Sequence, residues 1–136
     1  MGELLIHDNR VVGYEVDGAQ RRIVLHTQTD YREPQERTDL IFEGVVAYFF
    51  EGDNFGNILF GVDELPIPQL VARHRRLFEE GLAYHWPGAW NASPEASVEH
   101  MQSVGARAFE ISSSYGLCGW VAATSYRLQP ASQPPA

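Results

Sequence analysis

Apolar and polar positions alternate with period two along four successive stretches, change to three- and four-residue spacing along two more, and return to period two before the chain ends. That order predicts ββββααββ. Residues 11–16 set Val12, Tyr14 and Val16 against Gly13 and Glu15, and Asp17-Gly18 supplies the turn of a hairpin into residues 21–28. There Ile23, Leu25 and Thr27 share one side, and Arg22, Val24 and His26 the other. Residues 40–50 are apolar in both phases, with Leu40, Phe42, Val46, Tyr48 and Phe50 opposite Ile41, Val45, Ala47 and Phe49, which predicts a central strand covered on both faces. The turn-forming residues 52–57 then return the chain into residues 58–62 as an antiparallel neighbour.

Pro66 and Pro68 introduce a helix in which Ile67, Leu70, Val71, Leu77 and Phe78 form one apolar stripe, with Gly81 as its C-cap. On its solvated side Arg75 and Glu79, and Arg76 and Glu80, stand four residues apart and can pair. Ser93 as N-cap, Pro94 at the first helical position and Gly105 as stop delimit a second, shorter helix. Residues 107–113 and 117–128 close the pattern as a hairpin. The polar stretch 29–38 predicts an exposed loop, and the Pro-rich residues 130–136 a loose tail. The expected fold is therefore a single α+β domain over residues 1–129, a mostly antiparallel sheet of about six strands packed by one amphipathic helix and a shorter one.

Charge narrows the range of partners. The chain has 136 residues and a net charge of −8, which argues against nucleic acid and for a basic partner. All ten basic residues are arginine, so lysine chemistry, a Schiff base or a phosphate-binding P-loop lysine included, is excluded. A lone cysteine, Cys118, rules out an internal disulfide and fits a reducing compartment. With no signal-like N-terminus and no apolar run near the ~18 residues that span a bilayer, a cytoplasmic protein without membrane contact is expected.

Candidate chemistry is sparse. Glu43, inside the doubly apolar strand, would have a raised pKa if buried and is the best acid/base candidate; a bend at Gly44 would instead let it reach an arginine at the surface. His26 and His74 are the histidines that could join it in a cavity between sheet and helix. No histidine, cysteine or carboxylate spacing predicts a metal site or a cofactor, and residues 53–57 lack the acids of a calcium loop. Cys118 stands outside any nucleophile-elbow spacing. The Pro/Gly loop carrying Tyr84, Trp86 and Trp90 suits either a binding anchor or a plug on the core. Asp30, Glu33, Glu36 and Asp39 in one loop, with Glu51 and Asp53 at a turn, could form an acidic rim that steers a basic protein.

The runs Gly44-Val45-Val46-Ala47-Tyr48, Asn57-Ile58-Leu59-Phe60 and Ser113-Ser114-Tyr115-Gly116-Leu117, with Gly119-Trp120-Val121, resemble small bacterial proteins of the immunity-protein type from polymorphic or contact-dependent toxin systems. The resemblance spans about residues 7–128 and consists of strand and turn patterns. It implies a non-catalytic module that covers a toxin's active site. The competing expectation is a small-molecule binder or enzyme with Glu43, His26 and His74 around a cavity.

Overall fold

In the computed structural model, which describes residues 6–30 and 35–131, six antiparallel strands close on themselves. The strands are β1 (Arg10–Asp17), β2 (Arg22–Gln28), β3 (Arg37–Glu51), β4 (Ile58–Leu65), β5 (Arg107–Tyr115) and β6 (Cys118–Pro130). Around the barrel they run β1-β2-β3-β6-β5-β4. The expected α+β domain with six strands is present, and closure into a barrel is what the alternation did not foretell. The closing seam is short: β1 and β4 pair at Arg10 and Ile58, helped by backbone bonds from Asp8 to Leu59, Leu59 to Asn9 and Val11 to Asn57.

Two cores flank the barrel wall. Inside it pack Leu25, Leu40, Phe42, Leu59, Phe109 and Val121; Phe42 stacks on Tyr126 with ring centroids 4.7 Å apart. Outside it, the helices α1 (Ile67–Arg73), α2 (Arg75–Gly81) and α3 (Pro94–Ser103) cover Ala47, Ala108, Trp120 and Ala122 with Leu70, Phe78 and Met101. Trp120 is the hub of this second layer, stacked on Phe78 at 5.5 Å and edge-on to Trp86 at 6.1 Å. Two cores on one wall explain why β3 reads as apolar in both phases.

A phase change in β3 makes this possible. Gly44 adopts φ +63°, where a Cβ would collide with Thr124 Oγ1, and Val46 is an extra residue against β6, between the pairs Val45–Ala123 and Ala47–Ala122. Phe42 and Val45 therefore both face the barrel interior, while Ala47 belongs to the helical layer.

Several local expectations change. The expected single helix breaks at His74 into α1 and α2, although both Arg75–Glu79 and Arg76–Glu80 pairs are present. Gly81 is no left-handed cap, having φ −70°; a Cβ there would strike the Trp86 carbonyl, so glycine serves close approach. In the first hairpin the positive φ falls on Arg21, not Gly18, because Asp17 Oδ1 accepts from the Ala19 and Gln20 N–H groups and builds a longer turn. The supposed loop ends earlier than expected: β3 begins at Arg37, and Thr29 and Thr38 are buried. At the other end, Pro130 still pairs with Thr38 and the Ala131 N–H donates to the Arg37 carbonyl, so these two residues belong to the sheet; residues 132–136 lie outside those described.

Candidate functional site

Glu43 does not face a cavity. It projects outward, bonded to Arg127, and that hydrogen bond with the charge of Arg127 holds its carboxyl below the usual range. This is the opposite of a general acid's environment: of the two readings open for Glu43, the structure shows the surface one, in which alternation from inward Phe42 sets it on the outer face with Arg127 as the arginine it reaches. His26 also lies on an outer strand face, its Nδ1 2.8 Å from Asp39 and its Nε2 3.3 Å from Glu15. Burial pulls its pKa down, but the bonds to Asp39 and Glu15 outweigh this and leave it raised. His74 belongs to the helical layer, at the break between α1 and α2, with Nε2 3.3 Å from Glu110. The three residues of the expected cavity site thus stand in separate ion pairs and do not meet. Cys118 is half-buried, and burial with the charge of Glu51 pushes its thiol up, away from a nucleophilic thiolate. Among the described residues no three His, Cys, Asp or Glu side chains gather to hold a metal ion, and no helix is long and apolar enough to cross a membrane.

The acidic residues divide into two groups. Asp30 is bonded to Arg10 and accepts from Gln28 Nε2 at 2.9 Å; the Arg10 and Gln28 bonds hold its carboxyl low. Asp39 is bonded to His26 within β3, Glu36 is exposed, and Glu33 lies outside the described residues. At the far end of β3, Glu51 and Asp53 are exposed, with Asp53 accepting from the Tyr14 hydroxyl. Arg10, Tyr14 and Asp53 line one cleft beside β1, so Asp30 reaches it only through Arg10.

The aromatic loop is mostly structural. Buried Asn91 donates to the carbonyls of Phe78 and Trp86, each at 2.8 Å, and accepts from Ser97 at 2.7 Å. These bonds hold Trp86 half-buried against Phe49, Phe78 and Trp120. Trp90 stacks on His100 at 4.9 Å, and of the loop's three expected anchors only Tyr84 stands fully in solvent.

Sequence reasoning overlooked the surface where two turns meet. Buried Asn57 uses one oxygen, Oδ1, to accept from Asn54 N–H at 3.0 Å and from Leu117 N–H at 2.8 Å, stapling the β3–β4 turn to the β5–β6 turn. A Cβ on Gly56 would meet the Tyr115 ring at 3.3 Å, which places that ring on the first turn. Above this staple Phe55 is fully exposed and Tyr115 is 60% exposed, beside Glu51, Asp53 and Tyr14. The available signal was Phe55 itself, an aromatic residue set among turn formers with no core phase to satisfy.

The electrostatics are those of a surface. Outward ion pairs tie Arg73 to Glu110, Arg75 to Glu95 and Arg107 to Glu64, the last through two bonds of 2.6 and 3.0 Å. Tyr126, the phenol most affected by burial, has its pKa pushed up to about 12 among core aromatics and is no acid at neutral pH. No known protein family, curated protein or solved structure matches the chain.

Proposed function

We propose that the protein is a non-catalytic binding module that occludes one basic protein partner in a stoichiometric complex, an immunity-type role in a bacterial cytoplasm. The observation that supports this reading best is the stapled surface: exposed Phe55 and Tyr115, held in place by Asn57 and flanked by Glu51 and Asp53. Rigid aromatics lose little conformational entropy on binding, so they make efficient anchors. The neighbouring carboxylates, in a chain of net charge −8, attract a basic surface over distances of about a Debye length, ~8 Å at physiological salt. Tyr84, Trp86 and Trp90 lie on the helical layer and supply stability there, with Tyr84 the exposed member.

The test is capture from the source cell's lysate on immobilised protein at low and high salt, repeated with Phe55→Ser and Asp53→Arg. One basic protein held in equimolar amount, released by salt and lost with either variant, is the expected result. Capture that ignores both substitutions, or no capture at all, overturns the reading.

A further inference from the structure

We propose that the second half of β3, residues 46–51, is a self-pairing edge through which two copies of the chain join as antiparallel neighbours about a two-fold axis. β3 is 15 residues long, but β2 accompanies it only from Arg37 to Glu43, and the hairpin's last bond to it runs from Val45 N–H to the Arg21 carbonyl at 2.9 Å. Beyond that point, among the described residues, β6 is the only strand paired with it. The lane where β2 would continue is a cleft of about 450 Å³, bounded by the hairpin tip, by Tyr48 and Phe50, and by Trp86 and Pro87.

Exposed edges are ordinarily protected by lysine, proline, an inward charge, brevity, a bulge or a covering loop; here Trp86 packs on Phe49 and borders the cleft with Pro87, but leaves the cleft unfilled. Val46-Ala47-Tyr48-Phe49-Phe50 has no charge and no proline, and consists of residues suited to strand pairing. Its one irregularity, at Val46, lies at the start and leaves the rest regular.

Charge placement identifies the occupant. Among the described arginines, Arg10, Arg73, Arg75, Arg76, Arg107 and Arg127 each hold a carboxylate, and Arg37 donates to Gln28. Arg21 and Arg22 hold none, although Arg22 lies near enough to Glu43 to lower its pKa. Arg21 stands at the Val45 end of the lane, and Glu51, likewise without a side-chain partner, stands at the other end. A two-fold axis perpendicular to the sheet preserves faces only if residues of equal parity lie opposite each other. Centred on Phe49, it sets Tyr48 across from Phe50 of the second copy and Ala47 across from its Glu51. That carboxylate then lies on the helical face of Ala47, the side on which Arg21 borders Val45, Val46, Trp90 and His100, within reach of Arg21. The edge is thus complementary to itself in both apolar content and charge. Asp17, the acid nearest Arg21 on the hairpin, already accepts two backbone N–H groups.

This inference goes beyond the proposed function and does not rest on it, because Phe55 and Tyr115 lie past the end of the paired segment. Sedimentation equilibrium from micromolar to near-millimolar protein is expected to show the mass rising from 15.3 kDa toward twice that value. Glu51→Arg and Arg21→Asp should each weaken self-association by about tenfold or more, and the double variant should restore it, because each single change places like charges together. Amide exchange at residues 46–51 should slow as concentration rises, and this readout on the unaltered protein keeps the test valid if a variant misfolds. A monomer throughout, a dimer indifferent to both reversals, or exchange that does not slow would each overturn the proposal. Phe55→Ser is expected to leave self-association unchanged while abolishing partner capture, so the two readings fail separately.

Discussion

One strand, β3, contains both a closed and an open half of this molecule. Residues 37–43 lie between β2 and β6 and send Leu40 and Phe42 into a filled interior, both fully buried. Residues 46–51 have β6 on one side and a cleft on the other, and Tyr48 there is exposed although this stretch is the more apolar of the two. Hydrophobic residues alone do not close a barrel; a neighbouring strand of sufficient length does. β2 has seven residues against fifteen in β3, and the difference in length appears as exposed aromatic surface.

The largest expected effect contrasts two phenylalanines. Phe42→Ala removes a ring stacked on Tyr126 and packed against Phe109 inside the closed half, and should cost about 3–5 kcal/mol. Phe50→Ala removes a ring that is only half-buried and should cost about 1 kcal/mol. Urea unfolding of the two variants measures the difference, and equal costs would mean the open half is filled in solution.

Next in size is the junction between the halves. Gly44→Ala forces a side chain into a left-handed conformation against Thr124 Oγ1, a combination of strain and overpacking expected to cost about 2–3 kcal/mol. Thr124→Ala in the same chain should recover part of that loss, because it removes the obstructing atom but not the backbone strain. A double-mutant cycle in thermal unfolding reads the coupling.

The same junction marks where sequence reasoning stopped. Alternation identified every strand, and Ser93 with Pro94 identified the start of α3, where Ser93 Oγ accepts from Ala96 N–H at 3.0 Å. Those signals are local. The phase switch at Gly44 was not legible as a switch, because apolar residues in both phases conceal which face is which; that concealment also left Glu43 open to both a buried and a surface reading. Helix continuity through His74 was misread for a related reason, since the apolar spacing persists across the break, where His74 has φ −110° and its ring reaches Glu110 on a distant strand. The acids at Asp30 and Asp39 were visible, but their partners Arg10 and His26 belong to other strands. The stapled turns depend on Asn57 reaching Leu117, sixty residues away, and no pattern within one segment records that.

A smaller effect separates the outer face of the closed half from everything at the open end. His26 is protonated more readily in the folded chain than in the unfolded one, through Asp39 and Glu15 and in spite of burial. Its contribution to stability is therefore fully present below the unfolded value of 6.5 and is lost as pH rises through the higher folded value. His26→Gln should flatten the stability profile over that window, while Glu51→Gln, in the open half, should leave its shape unchanged. Denaturant midpoints measured from pH 5 upward make the comparison.

The smallest expected effect on stability is also the most informative about function. Phe55 touches solvent on all sides, so Phe55→Ser should shift stability by no more than about 0.5 kcal/mol, within the range of ordinary surface changes. Asn57→Ala removes the one oxygen that serves both Asn54 and Leu117, leaves two backbone donors without it, and should cost about 1–3 kcal/mol. If the stapled turns are a docking surface, the two variants fail for different reasons. Phe55→Ser would lose the anchor on an intact platform, whereas Asn57→Ala would keep the anchor and release it from its position. Partner capture should then fall in both, with melting temperature unchanged in the first and lowered in the second. Full capture by a normally folded Phe55→Ser protein would mean that the exposed ring is incidental and that the partner docks elsewhere on the barrel.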